Sequence, residues 1–193
     1  MIIYCYEKYM KGVFYLKKEL IPIAGLEPES IVDGPGYRFT IFTQGCPHNC
    51  KGCHNPQTHP MKADRYLSAE EIISKIDENR TLIDGITLSG GEPFIHAKKL
   101  IPIAKWAHEN NLNVMAYTGY LFEDLLKNPE QRELLNHIDI LADGKFEINK
   151  KSLTLLFVGS SNQRLIDVPE SLKQGNVVLW KTSVDEWDFE GGK

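Results

Sequence analysis

The sequence lacks a basic surplus, a long hydrophobic run and a spread of cysteines, and each shortage excludes a class of protein. Its 22 Lys and Arg residues are outnumbered by 26 Asp and Glu residues, for a formal net charge of -4. Nucleic-acid binding usually comes with a basic surplus, so we expect no nucleic-acid partner. No apolar stretch approaches the roughly 18 residues of a transmembrane helix, so we expect no membrane partner. Residues 1–24 mix Tyr, Lys and Glu with apolar residues, unlike a signal peptide, which favours a cytoplasmic location.

The cysteines are few but clustered. The chain has four, and three of them, Cys46, Cys50 and Cys53, fall within eight positions, while Cys5 stands alone. A secreted disulfide protein would spread its cysteines and carry an export signal. Three clustered thiols in a reducing compartment therefore favour a metal centre.

Strand and helix patterns alternate along the chain. Such alternation indicates a parallel sheet built from right-handed crossovers, in a single α/β domain. The units are too few for an eight-stranded barrel, so a six-unit partial barrel or a doubly wound sheet fits. Strands are predicted over residues 38–43, 85–88, 112–117, 138–142, 153–158 and 176–180. Helices are predicted over 68–79 with a Ser68–Glu71 capping box, from near Ile101 to about 110 because of Pro102, and over 121–136 with a break at Pro129.

Polar or glycine-rich segments follow five of the predicted strands. In parallel sheets, ligands bind at the carboxyl ends of the strands, so all five segments are expected to line one mouth. They are the cysteine cluster, Ser-Gly-Gly-Glu-Pro at 89–93, Thr-Gly-Tyr at 118–120, Asp-Gly-Lys at 143–145 and Gly-Ser-Ser-Asn-Gln at 159–163.

The cysteine spacing, C-x3-C-x2-C, favours an iron–sulfur cluster. A [4Fe–4S] cluster usually takes four thiolates, so three leave one iron open to bind a small molecule. The alternative is a zinc-binding interaction module without catalysis, in which His48 or His54 completes a Cys3His site. Zinc sites usually join two separated ligand pairs, whereas all the ligands here lie in one loop.

Together these segments resemble the radical S-adenosylmethionine (SAM) superfamily, in which Gly-Gly-Glu-Pro follows the strand after the cysteines. Residues 30–36 (Ser-Ile-Val-Asp-Gly-Pro-Gly), 44–48 (Gln-Gly-Cys-Pro-His) and 53–56 (Cys-His-Asn-Pro) resemble the activases of glycyl-radical enzymes. Residues 143–146 and 159–163 resemble the branch that activates anaerobic (class III) ribonucleoside-triphosphate reductase. The position before the third cysteine, often aromatic in the superfamily, is Gly52, and a small residue is usual in this branch.

The resemblance covers about residues 20–163 and implies a partial (β/α)6 barrel. Residues 1–19 are then expected to form an N-terminal extension and 20–193 the radical SAM domain. The implied enzyme is an oxidoreductase in which Cys46, Cys50 and Cys53 hold one [4Fe–4S] cluster and serve as the catalytic residues. SAM would chelate the open iron, and its reductive cleavage would give a 5′-deoxyadenosyl radical that takes a hydrogen atom from a glycine of a partner enzyme.

The resemblance also implies the partners. The expected one is the glycyl-radical subunit of anaerobic ribonucleoside-triphosphate reductase, and the alternative is another glycyl-radical enzyme such as pyruvate formate-lyase. Longer activases carry further cysteine clusters, whereas no cysteines remain here for a second cluster. An external electron donor such as flavodoxin is therefore expected.

The residues implied to bind SAM lie in the same loops. The backbone of Gly90 and Gly91 is expected to receive the SAM amino group, and Glu92 to brace that loop. Asp143 and Lys145 are expected to contact the amino and carboxylate groups, although Asp-Gly also marks ordinary turns. The full set is Gly52, Cys53, His54, Gly90, Gly91, Glu92, Thr118, Asp143 and Lys145.

Overall fold

A seven-stranded sheet organises residues 19–181, the part of the chain that the computed structural model describes. The order across the sheet is β3-β1-β2-β4-β5-β6-β7. Strands β2, β4, β5 and β6 run parallel, whereas β1 and β3 at one end and β7 at the other pair antiparallel. The strands are β1 Ile21–Ser30, β2 Arg38–Thr43, β3 Arg65–Leu67, β4 Gly85–Gly90, β5 Asn113–Tyr117, β6 Ile140–Asp143 and β7 Arg164–Asp167.

Among residues 19–181, helices fill the crossovers between the parallel strands, and one more helix follows β7. They are α1 Ala69–Asp77, α2 Ala97–Glu109, α3 Phe122–Leu125, α4 Pro129–Leu135 and α5 Val168–Gln174, with 3-10 turns at Pro56–Thr58, Pro93–His96 and Ile148–Lys150. Because side chains alternate along a strand, Val114 and Ala116 join the main core, whereas Met115 joins a second cluster with Ile140 and Ala142. The α/β class and the mainly parallel central strands agree with the prediction.

Helix α1 begins as predicted, at a capping box. The Ser68 hydroxyl accepts the Glu71 N–H at 3.3 Å, and the Glu71 carboxylate accepts the Ser68 N–H at 2.8 Å. Ile72 and Ile76 are fully buried one turn apart and fix the inward face of the helix.

Replacing Ser68 by alanine is expected to lower the free energy of unfolding by about 1 kcal/mol, because the N-cap acceptor is lost. Thermal unfolding should then occur roughly 2–4 °C lower. Ser74 lies exposed in the same helix, and Ser74→Ala should leave stability unchanged or slightly raised through helix propensity. An equal fall in both variants would contradict a capping role for Ser68.

The start of helix α2 was predicted wrongly. The helix begins at Ala97 rather than near Ile101 and contains Pro102 in its second turn. Pro102 removes one backbone hydrogen bond, yet the helix persists because its inward face is buried at Leu100, Ile103, Ala104 and Ala107. The predicted break at Pro129 is confirmed, since Asn128 caps α4 and Pro129 is its first residue.

Two predicted strands are absent, and three strands were not predicted. Residues 153–158 form bends, and Phe157 has a left-handed φ of 56°, which interrupts an extended backbone. Residues 176–180 contribute an isolated bridge, between Leu179 and Ile166, rather than a strand. Strands β1, β3 and β7 carry proline, glycine or charges and are extended because they pair with neighbours.

No helix among residues 19–181 is long and apolar enough to cross a membrane. Residues 1–18 of the expected extension, Cys5 among them, lie outside the described residues, and only Glu19 is described.

Candidate functional site

A cavity of about 750 Å³ opens at the carboxyl ends of the parallel strands. The segments that follow β2, β4, β5 and β6 all reach it, as expected for loops at one edge of a parallel sheet. The residues of the sequence-predicted site that line it are Cys46, Cys50, Cys53, His54, Gly90, Gly91 and Thr118.

The segment 159–163 also reaches this cavity, but by a route that was not predicted. It precedes β7 instead of following a parallel strand. Because β7 is antiparallel to β6, its first residue, Arg164, pairs with Asp143 at the end of β6. Gly159 and Gln163 therefore line the cavity from the same edge of the sheet.

Three residues with a positive φ shape the cysteine loop, residues 44–60, and Gly45, with a φ of 100°, is the first of them. Asn49 has a φ of 48° and Gly52 a φ of 75°, and Asn and Gly are the residue types that tolerate this region. Across the turn that contains Gly52, the Cys53 N–H donates to the Cys50 carbonyl at 3.2 Å. The two arms of the loop are joined where the Cys46 N–H donates to the His59 carbonyl at 3.1 Å. This geometry directs the three cysteines to one cavity.

Side chains from outside the motif hold the base of the cysteine loop. The Gln44 amide donates to the carbonyls of Gln57, at 3.2 Å, and Pro60, at 2.7 Å. The His96 ring bonds the Gln44 carbonyl at 2.9 Å, and burial lowers the pKa of His96. His96 lies outside every motif that the sequence singled out.

The three thiols are partly buried and form no disulfide with one another. Burial is the main reason that the pKa values of Cys46 and Cys50 are raised, so a bound cation is needed to favour the thiolates. The Asn55 N–H donates to the Cys53 sulfur at 3.4 Å. Hydrogen bonds to sulfur are one means by which proteins tune iron–sulfur clusters.

The donor set fits a cluster better than one zinc ion. Within residues 19–181, no three Cys, His, Asp or Glu side chains converge on a single-ion site. Each of the two histidines that could complete a zinc site is engaged elsewhere. The His48 ring bonds Glu92 at 2.8 Å, and the His54 ring packs on Phe146 with centroids 5.1 Å apart. Three thiolates spread over different irons suit a cubane with one open iron.

A single buried carboxylate joins three of the loops. Glu92 is fully buried, and its Oε1 accepts the Phe94 N–H at 3.1 Å and the Thr118 hydroxyl at 2.9 Å. Its Oε2 accepts the Gly119 N–H and the His48 Nε2–H, both at 2.8 Å. Glu92 thus links the cysteine loop, the Gly-Gly-Glu-Pro segment and the Thr-Gly-Tyr segment, which is a bracing position.

The His48 ring lies in a close-fitting slot. It meets Tyr120 edge to face, with centroids 4.5 Å apart, and burial raises the pKa of Tyr120. A Cβ on Gly119 would lie 2.3 Å from the His48 ring, so a glycine is required there. The glycine of the Thr-Gly-Tyr segment therefore leaves room for the His48 side chain of the cysteine loop.

Gly90 and Gly91 allow backbone to pack directly on backbone. A Cβ on Gly90 would lie 2.5 Å from the Thr43 backbone, and one on Gly91 would lie 2.3 Å from the Gly45 carbonyl oxygen. The Gly91 N–H donates to the Thr43 carbonyl at 2.8 Å. Both glycines line the cavity, and they also fix the cysteine loop against β4.

Four residues of the predicted SAM-binding set are not among those that line the cavity: Glu92, described above, and Asp143, Lys145 and Gly52. Asp143 is buried, where its carboxylate pairs with Arg164 and accepts the Phe122 N–H at 2.8 Å. Lys145 is exposed over a neighbouring groove, and Gly52 packs near Ile148. Direct SAM contact by Asp143, Lys145 and Gly52 stays a prediction.

Sequence reasoning missed several cavity residues, among them Tyr117 and Asp33. Tyr117 ends β5 inside the cavity, and burial, with Asp33 nearby, raises the pKa of its hydroxyl. Asp33 lies in the cavity wall and accepts the Ser30 hydroxyl at 2.5 Å. The sequence did carry a signal for both residues. Asp33 belongs to the Ser-Ile-Val-Asp-Gly-Pro-Gly segment, and Tyr117 directly precedes Thr118, a predicted site residue.

Comparison with known proteins places this arrangement in context. A family model described as a 4Fe-4S single cluster domain matches residues 32–166. Three similar curated relatives are each named anaerobic ribonucleoside-triphosphate reductase-activating protein. The relative from Pasteurella multocida is 37% identical over 145 residues, which cover 70% of this chain and 90% of the relative. The relative from Escherichia coli (strain K12) is 34% identical over 144 residues, which cover 70% of this chain and 92% of the relative.

The third relative, from Enterobacteria phage T4, is 33% identical over 145 residues, which cover 72% of this chain and 88% of the relative. Among solved structures, QueE from Escherichia coli aligns with a TM-score of 0.43 and 22% identity, over 52% of each chain. That structural likeness is too partial to support an argument about function.

Proposed function

Since the chain belongs to the family of anaerobic ribonucleoside-triphosphate reductase-activating proteins, we propose that it generates a glycyl radical on that reductase. The observation that carries the proposal is the convergence of Cys46, Cys50, Cys53 and the Gly90–Gly91 backbone on one cavity. Cys46, Cys50 and Cys53 would hold one [4Fe–4S] cluster, with one iron left for SAM.

When bound, the cluster supplies the electron that cleaves SAM to methionine and a 5′-deoxyadenosyl radical. The protein supplies position and shelter from water. Glu92 holds the cysteine loop to Thr118 and Gly119 through its hydrogen bonds. A cavity of about 750 Å³ is in the usual size range for a site that holds a cofactor of the size of SAM.

Each residue has a proposed part in holding SAM. Carbonyl groups of Gly90 and Gly91 would accept hydrogen bonds from the amino group. Lys145 would pair with the carboxylate, and backbone near Gly52, Cys53 and His54 would contact the adenine. Asp143 acts as a positioning residue for the 143–145 segment, because Arg164 and the Phe122 N–H already engage its carboxylate.

Three further features belong to the proposal. The sheet would curve around the cavity as a partial (β/α)6-type barrel, which is supported by cavity residues that come from the β1–β2 connection through to residue 163. The electron would come from an external donor such as flavodoxin. The protein would work in the cytoplasm, where clustered thiols stay reduced.

The test is to prepare the protein without oxygen, reconstitute it with iron and sulfide, and add dithionite, SAM and the reductase subunit. A glycyl-radical signal in electron paramagnetic resonance, together with 5′-deoxyadenosine, would support the proposal. Pyruvate formate-lyase in a parallel reaction separates the alternative target. A colourless protein that binds zinc and yields no 5′-deoxyadenosine would refute the proposal in favour of an interaction module.

A further inference from the structure

Two apolar segments are exposed at the mouth of the cavity. Ile31 and Val32, in the β1–β2 connection, have 67% and 73% of their surface exposed. Leu153, Leu155 and Leu156, in the connection before β7, have 88%, 38% and 49% exposed. We name these five residues the apolar rim. Val32, Leu153 and Leu155 also line the cavity, so the rim is continuous with the site.

The segment that carries the three leucines is anchored at both ends. Lys151 and Ser160 form an antiparallel bridge, and the Ser152 N–H donates to the Gly159 carbonyl at 3.1 Å. Phe157 turns inward on its left-handed backbone and packs near Trp180, with ring centroids 6.4 Å apart. The fold thus partly buries Phe157 and leaves the three leucines more exposed.

The segment that carries Ile31 and Val32 is anchored as well. The Ser30 hydroxyl donates to the Asp33 carboxylate at 2.5 Å, and the Thr87 hydroxyl donates to the Asp33 carbonyl at 2.9 Å. One step further along, the buried Arg38 guanidinium donates to the Pro35 carbonyl at 3.3 Å. Ile31 and Val32 are therefore held outside the core by a fixed turn.

We propose that the apolar rim is the docking surface for the glycine-bearing loop of the reductase subunit, and that this loop has apolar side chains beside its glycine. The inference rests on the proposed function, because a glycine of another protein must reach the cavity through its mouth. The rim flanks the cavity with apolar side chains from the β1–β2 and β6–β7 connections, which lie on either side of β4 and β5 in the sheet order. Large exposed apolar groups around a site mark a protein interface.

The shape of the rim favours a protruding loop over a flat surface. Its members flank a cavity instead of forming one plane, and a loop can bury them on both sides while its glycine enters between them. Glycine has no side chain, so specificity must come from its neighbours in the partner. Apolar neighbours match the rim, because the burial of apolar surface on both partners favours association.

The test uses Ile31 and Leu156, because neither lines the cavity. In the reconstituted enzyme, the double variant Ile31→Ser/Leu156→Ser should form 5′-deoxyadenosine without the reductase at the wild-type rate. The reductase concentration that gives half-maximal glycyl radical should rise by about tenfold or more, with the same plateau. The conservative pair Ile31→Val/Leu156→Met should keep the wild-type value.

Leu82→Ser is the matched control, because Leu82 is 62% exposed in the α1–β4 connection and belongs neither to the rim nor to the residues that line the cavity. Half-saturation within twofold of wild type in the double serine variant would overturn the inference. A changed oligomeric state with unchanged half-saturation would assign the rim to a second copy of this chain and would also overturn it. If the wild-type enzyme cleaves SAM but places no radical on the reductase, the proposed function fails, and the docking inference fails with it.

Discussion

Replacing Cys50 by alanine is expected to abolish the formation of 5′-deoxyadenosine from SAM. The described part of the chain offers three thiols at the cavity, and a [4Fe–4S] cluster that leaves one iron for SAM needs all three. The variant should contain less iron and sulfide per chain, lose the brown colour of the reconstituted protein and show background product by chromatography. Because Cys50 lies on the cavity surface, the metal-free variant should melt within a few degrees of metal-free wild type.

Cys5→Ala is the matched control for this experiment. Cys5 lies outside the described residues and outside the clustered spacing, so its loss should leave iron content and product formation unchanged. A Cys50→Ala protein that keeps its cluster and its activity would contradict the assignment of the three cysteines. A Cys5→Ala protein that loses iron would show instead that four thiols hold the cluster.

The central strands could be predicted from the sequence because burial imposes a pattern on them. Strand β4 is buried along nearly its whole length, and its short apolar run signals a parallel strand covered on both faces. Strand β1 contains Pro22, Gly25 and Pro28, and β7 has Arg164 and Asp167 at its ends. These strands are extended because they pair with β2 and β6, and a tertiary effect of this kind leaves little local signal.

The site could be predicted as a set of loops, but not in its internal contacts. The segments after β2, β4, β5 and β6 carry cysteine, glycine or polar residues, and topology alone brings them to one edge. The pairing of Asp143 with Arg164 depends on the register of β7, a strand that was not predicted. The apolar rim was missed because residues 153–158 have the composition of a strand and were taken for one.

The isosteric replacement Glu92→Gln is expected to lower the free energy of unfolding by about 3 kcal/mol. Either orientation of the new amide turns its NH2 group toward a donor. On the Oε1 side, the Thr118 hydroxyl can rotate to accept, but the Phe94 N–H cannot. On the Oε2 side, His48 can change tautomer, but the Gly119 N–H cannot. A backbone donor is left facing a donor in a fully buried place.

Thermal unfolding of the metal-free Glu92→Gln protein should occur roughly 6–12 °C lower than for metal-free wild type, because each kcal/mol shifts a domain of this size by about 2–4 °C. Reconstitution should also yield less iron per chain, since His48 lies between Cys46 and Cys50 and loses its fixed partner. The exposed Glu109→Gln, at the end of α2, changes charge equally and should stay within about 0.5 kcal/mol of wild type. Unfolding of Glu92→Gln at the wild-type temperature, with full iron content, would mean that the carboxylate does not hold the three loops together.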